Sequence, residues 1–163
     1  MNVEIIASEL MTSDVTSISP DADLLDVIQK MIDSHYSCMV VVDHGLPVGI
    51  ITERDIVRLM GQFMIEKAQN PVLVADVMSV PVATVTEDTT LFEALVISSA
   101  QKIRHLPVVN ETGHLKGLLT QTDLAKAHFN IFEKQRDIIE HSVSERTNAV
   151  SYTHLTLPTN REV

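Results

Sequence analysis

Tryptophan is absent, and aromatic side chains make up only 4% of the 163 residues. Ring platforms on which single-stranded bases could stack are therefore not available. Cations are scarce too: 12 Lys and Arg stand against 22 Asp and Glu, a formal net charge of −10. That balance excludes broad nucleic-acid binding, which depends on cationic surface displacing counterions. It also means that an anionic ligand must be attracted locally, by backbone N–H groups and a few basic side chains. The one cysteine, Cys38, excludes an internal disulfide framework and any multi-cysteine zinc site. No apolar run is long enough to span a bilayer, and Met1-Asn2-Val3-Glu4 lacks the basic start of a signal peptide. No membrane partner and a cytoplasmic location are expected.

Catalytic signatures are missing as well. Seven histidines are scattered without ligand spacing, so no metal site is expected. Cys38 precedes an apolar strand and has no His-Asn context, which suits a packed thiol better than a nucleophile. Neither a Walker loop nor Gly-x-Gly-x-x-Gly occurs, and no carboxylate pair is placed for acid–base work. These residues are not expected to form an enzyme.

What is present is a globular chain, 45% apolar and 21% charged, long enough to bury a core. Its dominant feature is an internal repeat. At an offset of 67, Met11 meets Met78, Val15 meets Val82, Asp21 meets Asp88, Leu24 meets Leu91 and Val41 meets Val108. One residue inserted near Thr112 moves the offset to 68, and Gly49, Thr52 and Asp55 then meet Gly117, Thr120 and Asp123.

Each repeat reads β-α-β-β-α. An extended piece (15–18 or 83–85) leads to acidic and hydroxyl cap candidates: Asp21 and Asp23, or Glu87, Asp88, Thr89 and Thr90. Helices with one buried face follow, on Leu24, Val27, Ile28, Met31 and Ile32, or on Leu91, Ala94, Leu95 and Ser98. A buried strand (39–42 or 106–109), a turn (43–45 or 110–113) and a hairpin partner (48–52 or 115–120) come next. The second helix of each repeat starts at Glu53 or Gln121. The fold class is α+β, two such units packed by a pseudo-two-fold around a common interior. The join at Gln69-Asn70-Pro71 is polar and stops the preceding helix.

Both copies end a strand on threonine and place a carboxylate three residues later, on the first helical turn. The pairs are Thr52 with Asp55 and Thr120 with Asp123. Free N–H groups at a helix start favour an anion. Aspartate can accept from two ribose hydroxyls, and threonine can bond a phosphate oxygen.

The final helix runs on through 128–149 as a connector. Phe129, Phe132, Arg136, Ile139, Val143 and Arg146 alternate spacings of three and four, a heptad-like seam with two arginines in it. The seam is read as a parallel helix pair in a homodimer, with packing back on its own domain as the alternative. Residues 151–159 then break the pattern and resemble the translation of a transposon-end sequencing adapter. Residues 150–163 are accordingly read as a non-native tail, with a downstream effector domain missing; a natural disordered tail is the alternative.

Over about residues 8–127 the doubled pattern resembles a tandem pair of CBS domains, with repeats at 8–68 and 75–127. The resemblance is carried by the Met-Thr and Met-Ser lead-ins at Met11 and Met78, by Ser19-Pro20-Asp21 and by the strand ending at Asp43. Two copies of Gly-apolar-apolar-Thr-x-x-Asp, at 49–55 and 117–123, complete it. It implies a regulatory module that binds AMP, ADP, ATP or an adenosyl compound in clefts between the repeats. No cofactor is required, and magnesium would come only with the nucleotide. The family's ribose-holding acid and phosphate-side hydroxyl carry over to Asp55 with Thr52 and Asp123 with Thr120. Arg54, Arg104 and His105, present in one copy only, are the phosphate candidates. Val15, Ile18, Val85, Met39 and Leu106 are candidates to line an adenine slot. Two other readings stay open: a ligand-free dimerisation module, and the input fragment of a diguanylate cyclase or similar signalling enzyme, by analogy with the connector helix.

Overall fold

Short apolar runs punctuated by acidic caps do build the same unit twice. The computed structural model describes residues 4–63 and 71–153, and within them the side chains of all but Phe63 and residues 146–153. Residues 1–3, the Gln69-Asn70 part of the join, the Arg146 side chain and the tail beyond 153 lie outside the described residues.

The elements, in order, are α1 (Ala7–Leu10), β1 (Ser17–Ile18), α2 (Leu24–Ser34), β2 (Cys38–Asp43), β3 (Leu46–Thr52) and α3 (Glu53–Phe63). The second set is α4 (Val74–Val77), β4 (Val85–Thr86), α5 (Leu91–Gln101), β5 (His105–Val109), β6 (Leu115–Thr120) and α6 (Gln121–Thr153). Each repeat holds a three-stranded sheet, β1-β2-β3 or β4-β5-β6. In each the first strand runs parallel to the second and the third antiparallel to it. Both second helices start where the sequence places them, at Glu53 and Gln121.

Local chemistry sets the boundaries. Asp23 caps α2 by accepting from the Leu25 N–H at 2.8 Å. Thr90 caps α5 reciprocally: its hydroxyl accepts from the Glu93 N–H, and the Glu93 carboxylate accepts from the Thr90 N–H. The β2–β3 hairpin closes on His44 and Gly45, both left-handed at φ 49° and 85°. A two-residue turn of that kind matches the strand twist, and glycine enters it without strain. The inserted residue of the second copy falls in the longer β5–β6 turn, which Asn110 organises by accepting from Thr112 and His114 N–H groups. Leu24, Val27 and Met31 are buried as expected, while Ile32 is exposed.

The lead-ins behave in a way that no local pattern indicates: each packs on the other repeat. In α1, the Ala7 and Ser8 N–H groups donate to the Thr89 and Glu87 carbonyls, and Thr12 pairs with Leu118 of β6. In α4, the Val74 and Ala75 N–H groups donate to the Ala22 and Pro20 carbonyls, and Ser79 pairs with Ile50 of β3. Val74 thereby joins Ile18, Leu24, Val27, Met31, Met39, Val41 and Ile51 in the core of the first repeat. The core of the first repeat is thus closed by a segment from the other half.

This exchange explains the glycine of the motif. A Cβ on Gly49 would lie 2.5 Å from Met78 Sδ, a flexible side chain. A Cβ on Gly117 would strike Met11 and lie 2.9 Å from the Thr12 carbonyl oxygen, which is backbone. Gly117→Ala is therefore expected to destabilise by about 1–3 kcal/mol and Gly49→Ala by less, since only the methionine can move aside. Paired urea titrations check this, and equal costs would contradict it.

From Ala125 onward α6 belongs to a separate compact unit. There Phe129, Phe132, Ile139 and Val143 of the seam are each more than half exposed. Arg136 pairs within its own helix with Asp137 at 3.6 Å and Glu140 at 3.9 Å. Exposed pairs of this kind contribute little. The helix continues through Thr153, past the point where the tail read as non-native begins. Among the described residues no helix is long and apolar enough to cross a membrane.

Candidate functional site

A cleft of about 690 Å³ opens where the first Thr-x-x-Asp junction faces the α5–β5 loop of the second repeat. Thr52 ends β3 and Asp55 sits on the first turn of α3, so the geometry of one strand-to-helix turn brings them together. Asp55 Oδ2 accepts from the Thr52 N–H at 2.9 Å and from its hydroxyl at 2.6 Å. Asp55 Oδ1 accepts from the Ser79 hydroxyl at 3.0 Å, and the Arg58 guanidinium lies 3.7 Å away. Ser79 reaches this point because its lead-in pairs with β3. Asp55 is only 5% exposed, so its charge is held by these neighbours and not by bulk water.

Several of the junction N–H groups expected to be free are taken within the fold. Thr52 N–H is taken by Asp55, Asp55 N–H by the Thr52 hydroxyl and Glu53 N–H by the Ser37 carbonyl. The second junction is the same, with Gln121 N–H donating to the Arg104 carbonyl. Anion attraction in the cleft is then shared between the Arg54 and Thr122 N–H groups at the helix starts and the side chains. Arg54, Arg58, Lys102 and Arg104 all line it, four of the chain's 12 Lys and Arg. His105 lines it as well; burial, and then the neighbouring Arg104 charge, hold its pKa below 6.5, so the ring is neutral at neutral pH.

The remaining sequence candidates divide. Thr120 lines the same cleft as Thr52, Arg54, Asp55, Arg104 and His105. Asp123 is not among its lining residues; it is half-buried and accepts from the Thr120 N–H at 3.0 Å and hydroxyl at 2.6 Å. Thr12, which matches Ser79 in the other copy, makes no such bond to Asp123 among the described residues. Ile18, Met39, Val85 and Leu106 lie in the cores, where the inward faces of short apolar strands point, and not at the cleft. Val15 lines a different, smaller hollow of about 250 Å³ with Val42, Gly45 and His114. Ser79, Arg58 and Lys102 were not singled out from the sequence. Arg58 follows Arg54 by one helical turn, which is a legible signal. Lys102 and Ser79 carried none, because the fold alone brings their segments to the cleft.

Cys38 opens β2 directly opposite Thr52. Burial, and then the Glu53 charge, push its pKa up to about 11. Only the thiolate is nucleophilic. Alkylation of Cys38 by iodoacetamide at pH 8 is expected to run roughly 100-fold slower than that of an unperturbed thiol. A rate within threefold of glutathione's, followed by mass spectrometry, would contradict this.

The CBS domain family model matches residues 7–62 and 74–130. An uncharacterized protein of Methanopyrus kandleri is 35% identical over 119 residues, 71% of this chain and 59% of that protein. The chain thus spans less than two thirds of that relative's length. Among solved structures, CBSX2 in complex with AMP is 25% identical with a TM-score of 0.67, over 77% of this chain and 97% of that one. The CBS domain pair of protein MJ0100, in complex with 5′-methylthioadenosine and S-adenosyl-L-methionine, has a TM-score of 0.69 over 78% of this chain and 98% of that one. At 20% identity that second likeness shows the fold alone. Two matched copies, a pair of equivalent sheets and a cleft where a Thr-x-x-Asp junction meets the opposite repeat leave one conclusion: the chain belongs to the CBS domain family and carries that domain twice.

Proposed function

We propose that this CBS pair is a regulatory module, with no chemistry of its own, that senses an adenine nucleotide or an adenosyl compound in the cleft between its repeats. The observation that carries the reading is the Thr52–Asp55 junction of one repeat facing Arg104 and His105 of the other across one hollow. Asp55 would hold the ribose hydroxyls, Thr52 with Arg54 the first phosphate, and Arg104 any phosphate beyond it. A ribose must compete with Ser79 and Arg58 for Asp55 Oδ1, so occupancy would be felt by the lead-in that closes the first core. The AMP bound by CBSX2 supports the ligand class. Asp123 with Thr120 is the second candidate junction.

Occupancy would pass to α6, whose exposed seam suits a parallel pair in a homodimer leading to an effector domain. A cytoplasmic setting and a nucleotide that can bring magnesium complete the proposal. Calorimetric titration with AMP, ADP, ATP and S-adenosylmethionine tests it. At least one should bind, and the Asp55→Ala, Asp123→Ala double variant should bind it about tenfold or more weakly. No binding by any of the four, or affinity unaltered in a folded double variant, would sink the proposal. A dimer by light scattering with no ligand effect would favour the assembly reading, for which the exposed seam is the motive.

A further inference from the structure

The cleft gathers more positive charge than one phosphate uses. Arg54, Arg58, Lys102 and Arg104 face Glu53 and Asp55, four cations against two carboxylates, on a chain whose net charge is −10. Only Arg58 is near a carboxylate, at 3.7 Å from Asp55. Among the described residues Arg54, Lys102 and Arg104 form no ion pair, although acidic side chains outnumber basic ones 22 to 12. Cations assembled in one hollow repel each other, and a polyanion would relieve that repulsion. Lys102 occupies the left-handed position that ends α5, at φ 55°, as His35 does at the end of α2.

We infer that the ligand of this cleft carries a di- or triphosphate chain, as in ADP or ATP, and is not a monophosphate or an uncharged adenosyl compound. The inference rests on the proposed nucleotide site and specifies its ligand. A monophosphate brings about two negative charges and a triphosphate roughly twice that. With the nucleoside on Asp55, the first phosphate falls to Thr52 and Arg54. The outer phosphates then extend across the cleft to Lys102 and Arg104 on the α5–β5 loop. Because side chains supply the counter-charge, the nucleotide does not need magnesium to bind.

Calorimetry in EDTA at 0.1 M salt, with ATP, AMP and adenosine, tests this. ATP is expected to bind about tenfold or more tightly than AMP, and inorganic tripolyphosphate should displace it. The paired change Lys102→Asn, Arg104→Gln touches two exposed side chains and keeps a residue that tolerates the left-handed backbone. It should weaken ATP about tenfold or more and AMP by less than roughly threefold. Equal affinities for ATP and AMP, or equal losses in the paired variant, overturn the inference while leaving nucleotide sensing intact. Failure of every nucleotide to bind overturns both.

Discussion

Val74→Asp is expected to unfold the first repeat, although residue 74 belongs in sequence to the second. Val74 is fully buried among Ile18, Leu24, Val27, Met31, Met39, Val41 and Ile51. It is held there by its own N–H bond to the Ala22 carbonyl at 3.0 Å. A carboxylate at that position would have no partner and no water. The cost is about 4 kcal/mol or more, a large part of the 5–15 kcal/mol that typically stabilises a domain. A melting temperature lower by about 10 °C or more, or no cooperative transition at all, is the expected reading by circular dichroism. Ala75→Asp, at the exposed neighbouring position, is the control and should melt within a few degrees of the parent. Equal behaviour of the two variants would mean that the lead-in does not close the first core.

The second large effect lies in the difference between the two aspartates. Asp55→Ala removes the acceptor for the Thr52 N–H, the Thr52 hydroxyl and the Ser79 hydroxyl, at a site only 5% exposed. Donors left unpaired in such a site cost more than the bonds contributed, and a loss of about 2–4 kcal/mol follows. Asp123→Ala removes two bonds at a half-buried site with no partner from the other repeat, so about 1–2 kcal/mol is expected. Ser79→Ala isolates the bond that crosses between repeats. A double-mutant cycle on Ser79 and Asp55 should give a coupling of about 1 kcal/mol, and a coupling near zero would remove this link from the proposed route of communication. Urea denaturation measures all four variants.

Much of this architecture is written in short-range chemistry. The duplication is visible because Gly49, Thr52 and Asp55 meet Gly117, Thr120 and Asp123 at a constant offset. Strand and helix limits follow from β-branched runs, caps and turn residues acting over three or four positions. Hence the starts of α3 and α6 and the turn at His44-Gly45 were legible. The apolar slot was not. Ile18, Met39, Val85 and Leu106 carry the same alternation whether a strand face meets a ligand or a core, and here it meets a core. At each junction one N–H group expected to be free, that of Glu53 or Gln121, is taken by the Ser37 or Arg104 carbonyl, whose approach depends on the preceding loop.

The order of residues along the chain is enough to specify two α+β halves, an acid and a hydroxyl at each junction, and a helix that outlasts them. Which half the lead-ins pack on, which junction acid lines the cleft, and the gathering of Arg58, Ser79 and Lys102 beside it were settled only by the packing. The reason is range: caps, turns and amphipathic spacing act within a helical turn. Ser79 meets Asp55, and Arg104 meets the cleft, across separations that only the burial of apolar faces brings together.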